Sequence, residues 1–363
     1  MRIAFYAPLK SPNHSVPSGD RLMARLLIRA LELAGHSVEL ASEFRSFAPT
    51  AEIGAELQSA AASELARLRQ QWASGPRPQL WFCYHPYYKS PDPFGPVLCA
   101  EFGVPYVTAE ASYSPKRDQT DWAPLQQLVV DAVRNAAVNI TMTQRDKAGL
   151  VRAIPDGRFA DLKPFIDTAA FDVNAPSGAS SQRLIAIAMM RAGDKMDSYM
   201  MLAAALRFLR DRPWTLAIIG DGPMREDVER QFAEFAPGRI QWLGELGGAE
   251  IADELRNSGI YVWPGCGEAY GLAYLEAQAA GLPVVAQKTA GVPDVVEAGV
   301  TGYLTPSNDI AAYAAAIGAL LDDPFKRSSM GDSARHFVLG ERSLEIAAVK
   351  LDTILRGYAG PMT

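Results

Sequence analysis

The sequence predicts an α/β protein built from two consecutive doubly wound units, each a parallel sheet flanked by helices. Three observations support this prediction. The length of 363 residues is too great for one ordinary core and suits two. Short apolar or β-branched runs alternate with helical patterns along the chain. The small residues of 174–181 interrupt that alternation and have the composition of a linker. We therefore expect domains at 1–175 and 176–340, with a final segment, 341–363, that crosses back to the first domain.

In the first half, residues 3–7 predict a strand and residues 20–34 predict a helix with leucines at helical spacing. The loop between them is rich in Pro, Ser and Gly, and Gly35 predicts the C-cap of the helix. The other strands predicted in this half are 37–41, 80–84, 105–109 and 137–142.

The alternation resumes after the linker and ends in a helical pattern at 342–358. Ligands of doubly wound sheets bind beyond the carboxyl ends of the strands. We therefore expect the functional residues in the loops that follow strands, in a cleft between the two units. The strands predicted in this half are 184–188, 215–219, 240–243, 260–263 and 283–286.

Composition excludes several classes of protein. With 48% hydrophobic and 21% charged residues the chain is typical of a globular protein and not of a disordered one. The net charge of −6 argues against a nucleic-acid-binding protein. Basic and acidic residues balance over 1–175, so the second half carries the whole net charge.

Cysteine usage and hydropathy bear on the compartment. The three cysteines, Cys83, Cys99 and Cys266, are far apart, which excludes a disulfide framework or a zinc ribbon and favours a reducing compartment. Apolar runs fall short of the ~18 to 20 residues that cross a bilayer. The run 3–7 is cut by Pro8 too early for a signal peptide. We expect a cytoplasmic protein.

The segment 265–285 carries the most chemistry. It follows a predicted strand and enters a helix near Gly271, whose first amides suit an anionic or polyhydroxyl ligand. Glu268 lies in the loop, and Glu276 lies about two turns further along. Ionised carboxylates accept strong hydrogen bonds from sugar hydroxyls. A solvated helix with an acidic first turn would carry the same residues, so spacing alone leaves both interpretations open.

The motifs of the second half, taken in order, resemble the retaining GT-B glycosyltransferases of family 4. Glu268 and Glu276 correspond to the E-x7-E pair of that family. Gly-Leu-Pro-Val-Val-Ala at 281–286 resembles its G-x-P-V-V-A strand, whereas the first half matches only in general layout. The other similar segments are 219–223, 242–244, 290–294 and 299–304.

The resemblance implies a donor site. Glu276 would hold the ribose hydroxyls of a nucleotide, and Glu268 would face the donor sugar. Arg191 and Lys195 would grip the diphosphate, although they are four positions apart where the family commonly has five. An exposed basic loop is the alternative for this pair. The remaining residues assigned to the donor are Gly19, Gly244, Ala269, Tyr270, Gly271 and Leu272.

The first half would bind the acceptor. Ser18-Gly19-Asp20 is similar in position to the glycine-rich loop of the family, and we interpret Asp20 first as a helix N-cap. The family histidine after the fourth strand is replaced, since Ala111 stands there. His85 and Glu110 are therefore the candidates for contact with the acceptor or the transferred sugar, together with Asp20. A structural histidine and a local hydrogen-bond network are the alternatives.

A basic row on the first predicted helix suggests a peripheral contact with the inner face of a membrane. It consists of Arg21, Arg25 and Arg29, and Glu32 continues it. A solvated helix face explains the same row.

The resemblance implies a retaining, metal-independent hexosyltransferase with no cofactor. Its donor would be a UDP- or GDP-sugar, and its acceptor a glycan or a lipid-linked saccharide of a cell-envelope polysaccharide or glycolipid pathway. The chain has no Asp-x-Asp pair of the kind that metal-dependent GT-A enzymes use. The main alternative is a non-catalytic nucleotide- or sugar-binding protein with the same fold. A nicotinamide-dependent oxidoreductase is disfavoured because no G-x-G-x-x-G follows the first strand.

Overall fold

The structure, a computed structural model, describes residues 1–171 and 181–358. Contacts divide the chain into two compact units. The first comprises 1–163 and the C-terminal segment from Leu344, and the second comprises 164–343. The predicted border near residue 175 and positions 174–180 of the predicted linker lie outside the described residues.

The first unit contains a six-stranded parallel sheet with the order β2-β1-β3-β4-β5-β6. Every residue of β3 is buried, as expected for a strand covered by helices on both faces. The strands are β1 (Arg2–Tyr6), β2 (Ser37–Ser42), β3 (Leu80–Tyr84), β4 (Tyr106–Ala109), β5 (Val138–Thr141) and β6 (Phe159–Asp161). The helices between them are α1 (Gly19–Leu33), α2 (Ala55–Ser74), α3 (Gly95–Phe102), α4 (Ala123–Asn135) and α5 (Gln144–Ala153).

The second unit repeats the arrangement with the strand order β12-β11-β10-β7-β8-β9, again all parallel. Its strands are β7 (Arg183–Ile187), β8 (Thr215–Ile219), β9 (Ile240–Gly244), β10 (Ile260–Val262), β11 (Val284–Gln287) and β12 (Gly302–Thr305). Its helices are α6 (Asp194–Arg207), α7 (Arg225–Gln231), α8 (Gly248–Arg256), α9 (Leu272–Ala279), α10 (Ile310–Asp322) and α11 (Pro324–Glu341).

The last helix, α12 (Leu344–Tyr358), packs against α1 in the first unit. His36 connects this helix to the start of the chain. Its Nδ1 lies 3.2 Å from the Met1 amino group, and its Nε2 lies 3.2 Å from an oxygen of Asp352. The C-terminal segment is therefore part of the first compact unit, although it follows the second in sequence.

The predicted fold class of two Rossmann-like, doubly wound units is confirmed. Two strands were missed. Phe159–Asp161 is only three residues long and partly exposed, so it offers no apolar run. Gly302–Thr305 begins with a glycine, a residue that is depleted in strands. Among the described residues, no helix is both long enough and apolar enough to cross a membrane.

Glycines allow the loops after β7 and β8 to approach each other closely. Gly220 has a φ of +139°, and a Cβ there would lie 1.9 Å from the carbonyl oxygen of Ala188. Gly222 meets Met190 in the same way, at 2.3 Å. Because the obstructing atoms belong to the backbone, rotation of a side chain cannot relieve the clash.

We expect Gly220→Ala to lower the free energy of unfolding by about 3 kcal/mol, from backbone strain and overpacking together. Gly244→Ala is the matched control. Gly244 has a φ of +69° but has no atom within 4 Å of the added Cβ, so only the cost of the backbone conformation remains. That cost is about 1 to 2 kcal/mol. Urea denaturation of both variants measures the difference, and equal losses would contradict the close approach.

Candidate functional site

The carboxyl ends of β7 and β10 lie side by side in the second sheet. Ile260 pairs with Leu184 and Tyr261 pairs with Ile185. The loop after β7 leads into α6, and the loop after β10 leads into α9. This register brings Lys195, on the first turn of α6, next to residues that are more than 60 positions later in the chain.

An ion pair between Lys195 and Glu268 joins the two loops. Only 15% of the lysine side chain and 18% of the glutamate side chain are exposed. The Nζ atom of Lys195 lies 5.5 Å from the centre of the Trp263 ring, and the indole N–H donates to Glu268 Oε2 at 3.4 Å. The structure thus joins two predicted site residues in a largely dehydrated pair, in which removal of one partner leaves a costly unpaired charge.

Side chains from two neighbouring elements fix the loop before α9. Ser198 Oγ accepts a hydrogen bond from the Cys266 amide at 2.9 Å. Buried Gln287, at the end of β11, donates to Cys266 Sγ at 3.2 Å and to the Pro264 carbonyl at 3.4 Å. Ser198, Gln287 and Trp263 were not predicted as site residues. Gln287 directly follows the predicted strand 283–286, and this was the one available signal.

Glycines shape the same loop. Gly267 has a φ of +63°, and a Cβ there would lie 2.2 Å from Asp194 Oδ2 at the start of α6. Gly271 has a φ of +75° and occupies the N-cap position of α9. The predicted helix start near Gly271 is therefore confirmed. The amides of Leu272 and Ala273, at the start of α9, have no acceptor within the helix and can bind an anion, whereas the Tyr274 amide donates to the Gly271 carbonyl at 3.1 Å.

Glu276 lies in α9 and is partly exposed. Burial raises the pKa of its carboxyl group to about 7. Within 1–171 and 181–358, no hydrogen-bond donor or cation offsets this desolvation. An ionisable side chain that is desolvated without compensation, in the helix that follows the loop, is typical of a ligand-binding position.

We expect Glu276→Gln to stabilise the free protein at pH 8. The folded-state pKa lies above the ordinary value of 4.5, so the unfolded state loses its proton first. The free energy of unfolding of the wild type therefore falls as pH rises from about 4.5 to about 7 and then levels off. The variant lacks this loss and should gain about 2 kcal/mol at pH 8 and little at pH 4. Denaturant titrations at both pH values measure the gain, and equal gains would contradict the origin in desolvation.

Arg191 and Gly244 lie at the same edge of the sheet but outside the ion pair. Arg191 follows β7 and is exposed, with no hydrogen bond or ion pair to the described residues. Gly244 ends β9, and its carbonyl accepts a hydrogen bond from the Gly220 amide at 2.7 Å. The structure therefore brings Lys195, Glu268 and the start of α9 together and leaves Arg191 in solvent.

A second cluster forms at the carboxyl edge of the first sheet. His85 follows β3 and Glu110 follows the adjacent β4, in register with each other because Tyr84 pairs with Ala109. Both residues have a positive φ, 59° and 57° respectively, which is strained for residues with side chains. His85 Nδ1 donates to Asp20 Oδ1 at 3.0 Å.

The His85 side chain is positively charged at neutral pH because of the carboxylates around it. Burial opposes its charge, but the negative charge of Glu110 and the hydrogen bond to Asp20 outweigh burial and raise the pKa of His85 to about 9. Burial likewise opposes the charge of Asp20, and its bond with His85 nevertheless holds the pKa of that carboxyl below its ordinary value. At neutral pH the cluster therefore contains an imidazolium between carboxylates.

The interpretation of Asp20 as an N-cap was wrong. Ser18 caps α1, because its hydroxyl accepts a hydrogen bond from the Arg21 amide at 3.2 Å. Asp20 is thereby free to pair with His85. No protein atom lies within 4 Å of a Cβ built at Gly19, so the described protein leaves the space beside this glycine open.

Two arginines of the basic row on α1 hold the preceding loop. Arg21 donates to the carbonyls of His14 at 2.8 Å and Ser15 at 3.1 Å, and Arg25 donates to that of Pro12 at 2.6 Å. Arg21 and Arg25 therefore have a structural role, because their hydrogen bonds hold the loop that precedes α1.

Comparison with known proteins finds a family match within the second unit. Residues 181–323 match the family model described as glycosyl transferases group 1. A GDP-mannose-dependent phosphatidylinositol monomannoside mannosyltransferase of Mycolicibacterium smegmatis is 27% identical over 219 residues, which cover 56% of this chain and 57% of the relative. The chain covers less than two thirds of the length of the curated relatives with the strongest matches.

Solved structures resemble the chain over nearly its whole length. Sucrose-phosphate synthase from Thermosynechococcus elongatus has a TM-score of 0.76 at 21% identity, with 98% of each chain covered. HepE from Anabaena, solved with UDP, has a TM-score of 0.72 at 16% identity and covers 98% of this chain and 99% of its own. At this identity the likeness establishes the fold, which is GT-B.

Proposed function

We propose that this protein transfers a sugar from a nucleoside diphosphate sugar to an acceptor hydroxyl, because residues 181–323 match the family model of the group 1 glycosyl transferases. The observation that carries the proposal is the dehydrated Lys195–Glu268 pair beside the N-terminus of α9. Lys195 would supply a cation for a leaving phosphate, and Glu268 would supply a carboxylate for sugar hydroxyls. The amides at the start of α9, in the adjoining loop, would bind an anion.

The second unit would bind the donor. Glu276 would accept hydrogen bonds from the ribose hydroxyls, which would compensate the desolvation that raises its pKa. The amides from Ala269 to Leu272 would face the diphosphate, with Gly244 and Gly19 allowing close approach of the backbone. The M. smegmatis relative is named for GDP-mannose and the HepE structure contains UDP, so the comparisons support either base.

Lys195 would exchange Glu268 for the diphosphate when the donor binds. The ammonium group would then neutralise charge on the leaving group, and Glu268 would be released to hold the donor sugar. In the reaction the anomeric C–O bond to phosphate breaks and a bond to the acceptor oxygen forms on the same face of the ring. The acceptor proton passes to the leaving phosphate oxygen. The configuration at the anomeric carbon would therefore be retained. Arg191 would be a second cation for the diphosphate, and it would have to move there from its position in solvent.

The first unit would bind the acceptor. Asp20 is a partly exposed carboxylate beside a cationic His85, and it would accept hydrogen bonds from acceptor hydroxyls. Glu110 is buried and would act mainly through its charge on His85. A glycan or a lipid-linked saccharide fits this chemistry, as expected for polysaccharide or glycolipid synthesis. The mannosyltransferase relative is named for a phosphatidylinositol-linked acceptor, which supports the lipid-linked class.

Nucleotide binding is the first test of this proposal. Isothermal titration calorimetry with UDP, GDP, ADP and TDP, in the presence of EDTA, should give saturable binding of at least one nucleotide. Glu276→Ala should weaken that binding, whereas replacement of the exposed Glu345 by Ala in the first unit should not. Absence of binding to every nucleotide would refute the proposal. Binding without turnover of any nucleotide sugar would favour the non-catalytic alternative.

A further inference from the structure

A row of aromatic side chains leads away from the His85–Asp20 pair in the first unit. The ring centres of His85 and Tyr87 are 5.4 Å apart, those of Tyr87 and Tyr88 are 5.3 Å apart, and those of Tyr88 and Trp122 are 5.0 Å apart. All four rings are partly exposed. The row therefore offers a continuous surface that starts at the predicted acceptor residues.

Two cations lie on the far end of this row. The Nζ atom of Lys89 is 5.2 Å from the centre of the Trp122 ring, and the guanidinium carbon of Arg117 is 4.7 Å from the centre of the Tyr88 ring. We call Tyr88, Lys89, Arg117 and Trp122 the aromatic–cation patch. In the part of the chain that the structure describes, neither cation has a carboxylate within ion-pair distance.

The backbone that carries the patch is fixed. Tyr87 and Ser90 exchange hydrogen bonds between their main chains, at 2.7 and 3.3 Å. The Lys89 carbonyl accepts from the Ala48 amide at 2.7 Å, and the Pro86 carbonyl accepts from the Ser112 amide at 3.3 Å. A partly exposed lysine that extends from a fixed turn and rests on a ring loses little conformational freedom when a ligand binds.

The charges along the row are arranged by sign. Asp20 and Glu110 supply carboxylates at the His85 end, whereas Lys89 and Arg117 supply cations at the other end. At the first end the His85 imidazolium is already paired with carboxylates, so an anionic group would be attracted to the second end, where the cations have no such partners among the described residues. Cations that rest on aromatic faces keep their N–H donors for a ligand, and guanidinium and ammonium groups bind phosphate and carboxylate strongly.

We propose that the aromatic–cation patch binds an anionic group, a phosphate or a carboxylate, on the saccharide acceptor, while the reacting hydroxyl faces the His85–Asp20 pair. The rings would cover the apolar C–H surface of the sugar between these two ends. The role as an acceptor site rests on the proposed function, whereas the preference for an anionic saccharide can be measured without any donor.

Binding of matched saccharides tests the proposal. Ligand-observed NMR would compare glucose 6-phosphate with glucose, inositol 1-phosphate with inositol, and glucuronate with glucose. We expect at least one anionic member to bind about tenfold more tightly than its neutral partner. The double variant Lys89→Met, Arg117→Gln should lose this preference, and the charge-preserving pair Lys89→Arg, Arg117→Lys should keep it. Lys116→Met, at an exposed neighbouring lysine, is the matched control and should keep it too.

A second arm distinguishes a free sugar phosphate from a lipid headgroup. Co-sedimentation with phosphatidylcholine vesicles, with and without phosphatidylinositol, would reveal a charge-dependent lipid contact that the double variant should lose. A preference for the anionic ligand in either experiment supports the proposal, and the experiment in which it occurs shows whether the ligand is a free saccharide or a lipid headgroup. The proposal is overturned if the wild type shows no preference in both arms, or if the double variant keeps its preference.

Failure of this proposal is distinguishable from failure of the proposed function. Nucleotide binding by the second unit and hydrolysis of a nucleotide sugar by water do not involve the patch. The double variant should keep both at wild-type levels, which also shows that it is folded. A double variant that loses the preference for anionic saccharides but still hydrolyses the donor would therefore show that the aromatic–cation patch acts on the acceptor alone.

Discussion

Replacement of Lys195 by alanine is expected to lower kcat for sugar transfer by about two to three orders of magnitude. Among the described residues, the lysine is the one largely dehydrated cation of the candidate donor site, and it contacts both Glu268 and the Trp263 ring. Without it, the charge that develops on the leaving diphosphate has no preorganised cation beside it. Glu268 also becomes an unpaired, largely buried carboxylate, which repels the donor. Steady-state release of the nucleoside diphosphate measures the loss.

Lys326→Ala is the matched control for that variant. Lys326 also lies over an aromatic ring of the second unit, with its Nζ 5.2 Å from the centre of the Tyr303 ring, but it is exposed and on α11. It should leave kcat unchanged. A Lys195→Ala enzyme that loses less than about tenfold would show that Lys195 does not act on the leaving group.

Donor affinity is expected to rise with pH because of Glu276. A carboxyl group with a pKa of about 7 is mainly protonated at pH 6 and mainly ionised at pH 8, and the ionised form accepts the ribose hydroxyls. The dissociation constant of the nucleotide sugar should therefore fall about tenfold from pH 6 to pH 8 and then level off. Calorimetry with an intact nucleotide sugar is the suitable measurement, because its diphosphate diester does not titrate in this range.

Glu276→Gln should bind the donor weakly and without this dependence on pH. Glu345→Gln removes an exposed carboxylate elsewhere and should keep the wild-type profile. If the wild type shows no change in affinity between pH 6 and pH 8, Glu276 does not hold the donor through its ionised form. Because Glu276→Gln is expected to stabilise the free protein at pH 8, weaker donor binding by this variant cannot be attributed to unfolding.

Much of the fold could be predicted because parallel strands buried on both faces leave strong apolar runs. Leu80–Tyr84 and Thr215–Ile219 have the bounds that the sequence predicts. The start of α9 was also predictable, since Gly271 precedes an apolar helical run. Short strands without an apolar run, such as Phe159–Asp161, give no such signal.

The site was only partly predictable, because its contacts join distant segments. A motif can indicate Glu268, but its pairing with Lys195 depends on the neighbouring positions of β7 and β10 in the sheet. Nothing local marks Trp263 as a contact of that loop, and Gln287 is marked only by its place directly after a predicted strand. Asp20 was misassigned because a carboxylate at a helix start is a common cap, and Ser18 already fills that role.

The net charge of the second half was a poor guide to its chemistry. That half carries the whole −6, yet the site proposed to bind a diphosphate lies within it. One dehydrated lysine and the amides at the start of α9 act at short range, where screening by solvent is weak. The sum of distant surface charges matters less than these few groups.

Analysis of the reaction products is the most direct test of sugar transfer by this protein. The protein would be incubated with the nucleotide sugar that it binds and a mixture of phosphorylated and neutral saccharides, and the products would be followed by mass spectrometry. We expect acceptors heavier by one sugar residue, formed in step with nucleoside diphosphate and absent when Lys195→Ala replaces the wild type. Saturable nucleotide binding with no sugar transferred and no nucleoside diphosphate released would contradict the proposed sugar transfer.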